Sequence, residues 1–195
     1  MYTIKNNNIS ELIIKNSKFI CYLYKVKNTN EISEILNNIK QEHKDATHHC
    51  YAYIIDDIKK SSDDGEPGGT AGIPILKVLE SQELTNIIAI VVRYFGGIKL
   101  GAGGLVRAYT KSVTSSLTKE NIVSLIKGYN IDIEFNYNQT KEIEYLLKDT
   151  KINNKEFNDL IKYNIDIESN FLETIKNYSI KYSNIKEIYI EKSLI

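Results

Sequence analysis

Six consecutive aliphatic residues, Ile87 to Val92, lie near the middle of this chain. A strand that is apolar on both faces has to be covered on both, so Asn86 to Tyr94 reads as the central strand of a sheet. The segments around it supply the partners. Cys50 to Ile55 is rich in β-branched and aromatic residues and reads as a strand, and Leu12 to Tyr24 reads as two strands interrupted at Asn16-Ser17. Asn30 to Lys44 repeats Ile32, Ile35, Leu36 and Ile39 at helical spacing, with Thr29 in position to cap it. Further helices are expected near Ala71 to Ser81 and Gly104 to Glu120.

The glycines divide the chain. All ten fall between Gly65 and Gly128, so the tail follows a different design from what precedes it, and Lys127-Gly128 is the expected boundary between domains 1–127 and 128–195. The second part reads as strand (Tyr129 to Tyr137), helix (Gln139 to Lys148), two strands (Ile152 to Phe157 and Leu160 to Glu168), helix (Phe171 to Tyr178) and strand (Ile185 to Glu191). That order, βαββαβ, is the ferredoxin-like motif. The alternation of Ile131, Ile133 and Phe135 suits a sheet with one wet face and one covered by helices. The expected fold class is therefore α+β.

Composition narrows the functions open to such a chain. With 25 basic and 25 acidic side chains in 195 residues the net charge is zero, which excludes the all-over basic character of a bulk nucleic-acid binder, so any anion site must be local. The aliphatic run is far shorter than the roughly 20 residues of a membrane span, and the start MYTIKNNNIS has no leader pattern; a cytoplasmic protein without membrane association is expected. Cys21 and Cys50 are expected as free thiols.

Two glycine-rich loops carry the candidate chemistry. The first, Ser61 to Pro74, holds both prolines of the chain, four glycines including Gly69, and the acidic trio Asp63, Asp64 and Glu66. Glycine permits positive φ and close backbone approach, proline stiffens the path, and Thr70 stands where it would cap the following helix with N–H groups aimed outward. The carboxylates are candidates for ion pairing with Arg93 or Arg107, or for holding Mg²⁺, pairing being the better expectation.

The second loop, Tyr94 to Gly104, contains Gly96, Gly97, Gly101, Gly103 and Gly104 and leaves the central strand to enter a helix, a geometry suited to holding phosphate at a helix N-terminus. Residues 86 to 111 carry Arg93, Lys99, Arg107 and Lys111 and no carboxylate. Arg107 and Lys111 share one helix face, while Val106, Tyr109, Val113 and Leu117 are expected on the buried one. The loop is neither a Walker A motif, since Gly101 precedes Ala102, nor a dinucleotide fingerprint, since Val106 stands where a third glycine is required. The alternative reading of both loops is tight turns that let helices pack closely on the sheet.

His48-His49-Cys50, with His43 and Cys21, raises zinc and a Cys-His nucleophile as further readings. Neither Cys-x-x-Cys nor His-x3-His spacing is present, and no orienting acid can be named, so no metal, cofactor or catalytic residue is assigned.

Taken together, Ala46-x-His48-x-Cys50-x-Ala52-Tyr53, Ser62-Asp-Asp-Gly-Glu-Pro67, Gly69-Thr-Ala-Gly72 with Pro74, and Val92-Arg-Tyr-Phe-Gly-Gly-Ile-Lys-Leu-Gly101 with Gly103-Gly-Leu-Val-Arg-Ala-Tyr109 resemble the YigZ/IMPACT family, and the tail resembles that of its bacterial YigZ branch. Ile73 departs from the family pattern, which has a polar or basic residue before Pro74. The resemblance implies a first domain like the second domain of ribosomal protein S5, a tail similar to a domain of translation elongation factors, and a role in regulating translation. It attaches no firm enzymatic activity.

Three functions follow as expectations. The first is a binding protein whose glycine loops and local basic surface grip RNA phosphates on the ribosome. The second is an enzyme acting on a small phosphorylated substrate, with Asp63, Asp64 or Glu66 as metal ligand or base. The third is a protein-interaction module with a partner in translation control, which would bind neither nucleotide nor RNA.

Overall fold

In the computed structural model, which describes residues 1–178 and 180–194, the aliphatic run lies in the middle strand of a five-stranded antiparallel sheet. After a short strand β1 (Tyr2–Ile4), the chain forms the hairpin β2 (Asn8–Ile14) and β3 (Ser17–Lys25), helix α1 (Thr29–Glu42), the hairpin β4 (His48–Ile55) and β5 (Ile58–Ser62), helix α2 (Gly72–Ser81), β6 (Ile87–Tyr94) and helix α3 (Ala102–Ser116). The sheet order is β2-β3-β6-β4-β5.

Both faces of β6 are covered, as its composition demands. Ile87, Ala89 and Val91 join Phe19, Cys21, Cys50 and Ala52 under α2 and α3. Ile88, Ile90 and Val92 join Ile20, Tyr22 and Tyr53 under Ile32 and Ile39 of α1. Cys21 and Cys50 both stand in register with Val91, one on each side. They are thus two strands, about 9.5 Å, apart, beyond disulfide reach, and both thiols are free.

Local detail corrects several expectations. Lys15 and Asn16 form the two-residue β2–β3 turn with φ of 45° and 64°, the conformation that suits the twist of a tight hairpin. The cap of α1 is Asn28, not Thr29: its side-chain oxygen accepts from the N–H groups of Asn30 and Glu31 at 3.0 and 3.1 Å, and Thr29 begins the first turn instead. On α3 the buried stripe is Leu105, Ala108, Tyr109, Ser112, Val113 and Ser116. Val106 is off that stripe and 37% exposed, contrary to the expected buried face. The helix ends at Ser116, where the backbone turns extended at Leu117, and a 3-10 turn, Lys119–Asn121, follows.

The chain divides into two compact units, Met1–Ser124 with the residues from Ser193 onward, and Leu125–Lys192. The second runs β7 (Ile122–Phe135), α4 (Thr140–Leu146), β8 (Lys151–Phe157), β9 (Ile161–Glu168), α5 (Leu172–Asn177) and β10 (Lys181–Ser193). In its sheet β9 lies between β8 and β7, β10 pairs with β7, and β1 pairs with the first residues of β7. Ile131, Ile133 and Phe135 pack against Ile143 of α4 and Ile175 of α5. The opposite face is polar: Asp132 accepts from Asn164 at 2.6 Å and Asn184 at 2.7 Å. Gly128 is required where it is, since a side chain there would meet the Ile167 carbonyl at 2.5 Å.

Candidate functional site

The two glycine-rich loops differ in what occupies their backbone donors. In the first, the Asp63 carboxylate accepts from the N–H groups of Gly69 (2.8 Å), Ala71 (3.0 Å) and Gly72 (2.8 Å), which places an internal anion at the start of α2. Burial raises the Asp63 pKa, but those three donors outweigh it and hold the group below the ordinary aspartate value. The expected capping by Thr70 does not occur; its hydroxyl donates to the Pro67 carbonyl at 2.7 Å. Asp64 accepts from the His49 N–H at 2.7 Å. Gly72 packs so closely on Ser62 that a side chain would lie 2.7 Å from its backbone.

Glu66 is the polar centre of the unit. It is buried, and one of its oxygens accepts from Arg93 Nη1 at 2.6 Å and from the Tyr109 hydroxyl at 2.7 Å. The Cys50 thiol donates to the Asp63 carbonyl at 2.9 Å, and its sulfur lies 3.3 Å from that hydroxyl. His48 approaches the other Glu66 oxygen at 3.8 Å and contacts the Asp64 carbonyl at 2.9 Å through Nδ1. This network ties β4, β6, α3 and the first loop together. It also answers the expected pairing of the acidic trio: Glu66 pairs with Arg93.

Arg93 is accordingly not a surface cation. Only 5% of it is exposed, and its guanidinium carbon lies 5.5 Å from the ring centres of both Phe19 and Phe95. Burial, with the nearby carboxylates, pushes the Cys50 thiol up to about 12, which disfavours the thiolate. Burial also raises Tyr109, reinforced by Cys50 and Glu66. The histidines go to separate partners: His43 bonds the hydroxyls of Tyr22 (2.5 Å) and Tyr94 (2.8 Å), and His49 Nε2 contacts the His43 carbonyl at 3.1 Å. Among the described residues no group of three or more His, Cys, Asp or Glu side chains is placed to hold a metal ion.

The second loop is anchored at one end and open at the other. Gly96 is pressed against the β2–β3 turn, where an added side chain would come within 2.1 Å of Asn16 backbone atoms. Gly97 and Gly101 have φ of 83° and 71° with open space around them. Gly101 caps α3 without any side-chain hydrogen bond, and Gly103 and Gly104 form the first turn. Lys99, Arg107 and Lys111 are exposed. Arg107 folds back along the helix, with Nη1 3.5 Å from where a Gly103 side chain would begin. Of the residues singled out from sequence, Gly97, Lys99, Gly101, Gly103, Arg107 and Lys111 are exposed and Gly104 is half-buried against Leu100, whereas Asp63, Asp64, Glu66, Gly69, Thr70, Arg93 and Gly96 are engaged within the fold.

Sequence reasoning passed over two residues here. Tyr109 was assigned only to the core, yet its hydroxyl links Cys50 to Glu66. Phe95 is 45% exposed. An aromatic residue between a buried strand and a Gly-Gly pair is the signal that could have marked it.

The stretch containing both loops and the Glu66 network is also the stretch with a recognisable relative: the Impact N-terminal domain matches residues 15–117. The chain belongs to the IMPACT family. The similarity continues through the second unit. The IMPACT family member YvyE of Bacillus subtilis is 39% identical over 208 residues, covering 99% of this chain and 94% of the relative. YigZ of Escherichia coli is 38% identical over 151 residues, 74% of each. A crystal structure described as that of a hypothetical protein aligns with a TM-score of 0.61 and 31% identity over 95% of this chain and 97% of its own. Among the described residues, no helix is long and apolar enough to cross a membrane.

Proposed function

We propose that this IMPACT-family chain binds RNA phosphates through the outer surface of its second glycine loop and α3, and regulates translation by doing so at the ribosome. The supporting observation is a group of exposed cations for which no ion pair is found among the described residues. Lys99, Arg107 and Lys111 are exposed in a stretch without carboxylates, beside a helix start that no side chain caps. Backbone donors and cations in that arrangement suit phosphate oxygens. We read the first unit as similar to the second domain of ribosomal protein S5 and the second, with its βαββαβ order, as ferredoxin-like, which fits a role in translation.

The competing enzyme reading needs a free carboxylate as metal ligand or base. Asp63 and Glu66 already hold the first loop, α2 and Arg93, and Asp64 accepts from the His49 N–H at 2.7 Å and pairs with Lys40 at 3.5 Å, which supports binding over catalysis. The test is fluorescence anisotropy with labelled RNA over a range of salt, together with co-sedimentation with ribosomes. Wild type should bind in a salt-sensitive manner. The Lys99→Ala/Arg107→Ala variant should bind more weakly, with the salt dependence reduced by about two phosphate contacts. Unchanged binding in that variant, or no RNA binding by wild type, would reject the reading.

A further inference from the structure

Phe95 presents an exposed ring on a rigid mount. Its N–H donates to Thr47 Oγ1 at 3.0 Å. The next residue, Gly96, donates to Ser17 Oγ at 3.2 Å and packs on Asn16 with no room for a side chain. The Arg93 guanidinium supports the Phe95 ring at 5.5 Å, and Arg93 is itself fixed by Glu66 at 2.6 Å. The backbone that carries the ring is thus anchored, the Arg93 guanidinium flanks the ring, and 45% of the residue surface remains in solvent, so the side chain contributes less to the core than a buried one would.

The cations around it outnumber the other exposed apolar residue of its loop, Ile98 (46% exposed), and favour a polyanion. Lys99 follows four residues later at the open end of the loop, and Arg107 lies along the first turn of α3. On the adjoining hairpin, Lys15 is exposed and Lys18 places its ammonium 4.8 Å from the Tyr94 ring centre. No carboxylate occurs from residue 86 to residue 111. A phenyl ring has no donor or acceptor with which to read the edge of a paired base. It can engage only a base face, and in a duplex those faces are covered by neighbouring pairs.

We infer that Phe95 is a stacking platform for an unpaired RNA base, so that the surface prefers single-stranded segments to duplex, an inference that rests on the RNA-binding reading above. The experiment compares a labelled single-stranded 12-nucleotide RNA with a 12-base-pair duplex by anisotropy, for wild type, Phe95→Ala, Phe95→Tyr and Lys99→Ala/Arg107→Ala. Phe95→Ala should weaken the single strand about tenfold and the duplex hardly at all, as expected for the loss of one stacked base. Phe95→Tyr, which keeps the ring, should bind like wild type. The double variant should weaken both RNAs. A 5-iodouridine-substituted strand should photocrosslink to Phe95, read by mass spectrometry of the peptide. If Phe95→Ala weakens both RNAs equally or neither, while the double variant still loses binding, the stacking inference is overturned and the phosphate surface stands. If wild type binds neither RNA, both fall together.

Discussion

The two glycine-rich loops share their wealth of glycine and have opposite dispositions. In the first, the chain supplies its own anions: Asp63 accepts from three backbone N–H groups ahead of α2, and Glu66 pairs with buried Arg93. In the second there is no carboxylate, α3 begins at an uncapped Gly101, and the cations point outward. Glycine richness alone therefore does not mark a ligand loop. What separates the self-contained first loop from the loop proposed to bind is whether the same segment carries acids able to satisfy its own donors.

The comparison is tested most severely at Arg93. If the first loop is a self-contained structural unit, Arg93→Ala strands the Glu66 carboxylate in a buried site and should cost about 3–5 kcal/mol. Urea unfolding monitored by circular dichroism would measure it. A variant that stays as stable as wild type but binds RNA poorly would show that Arg93 belongs with the second loop after all, and would erase the distinction.

Gly96 sharpens the comparison from the other side, because it anchors an otherwise open loop. The space for its side chain is filled by Asn16 backbone atoms at 2.1 Å, so Gly96→Ala must displace the β2–β3 turn and should cost about 1–3 kcal/mol. Gly68→Ala, with nothing within 4 Å of the new methyl, is the matched control. Its unfolding midpoint should stay at the wild-type value; an equal loss in both variants would mean that the two loops are anchored alike.

Some of this was legible in the sequence, and the pattern of what was not is physical. The aliphatic run of β6 could only be central, and the Ile32, Ile35, Leu36 and Ile39 repeat could only be a helix, because burial imposes those periods. Short strands carry weaker signals. β1 has three residues, and β5 is an edge strand in which Lys59 and Lys60 interrupt any apolar alternation. Asn28 and Thr29 are both good caps, and only the extended backbone at Asn28 decides between them. At the site, charge type and spacing could be read, but the side of the sheet on which Arg93 finds its partner could not. Arg93 follows Ala89 and Val91 in strand alternation, and the distant Glu66 is brought beneath it only by the fold. The same long-range closure hid the role of Tyr109.

The smallest expected effect concerns Asp63 and can be isolated by pH. Its folded-state pKa is lowered, so its contribution to stability is present in full above the ordinary aspartate value of 3.8 and is lost as pH falls below it. Asp63→Asn replaces one charged acceptor with an amide donor facing backbone N–H groups, which should cost about 1–2 kcal/mol at neutral pH. As pH falls through 3.8 the cost should shrink, because the unfolded wild-type chain then takes up a proton that the folded carboxylate resists. Paired urea melts of wild type and variant at pH 7 and pH 3 give the difference directly, and a gap that stays constant between them would mean that the carboxylate's charge is not what holds the start of α2. RNA binding at neutral pH is the second readout. If Asp63 serves only its own loop, the variant binds as wild type does; a loss of affinity without a matching loss of stability would place the first loop on the binding surface.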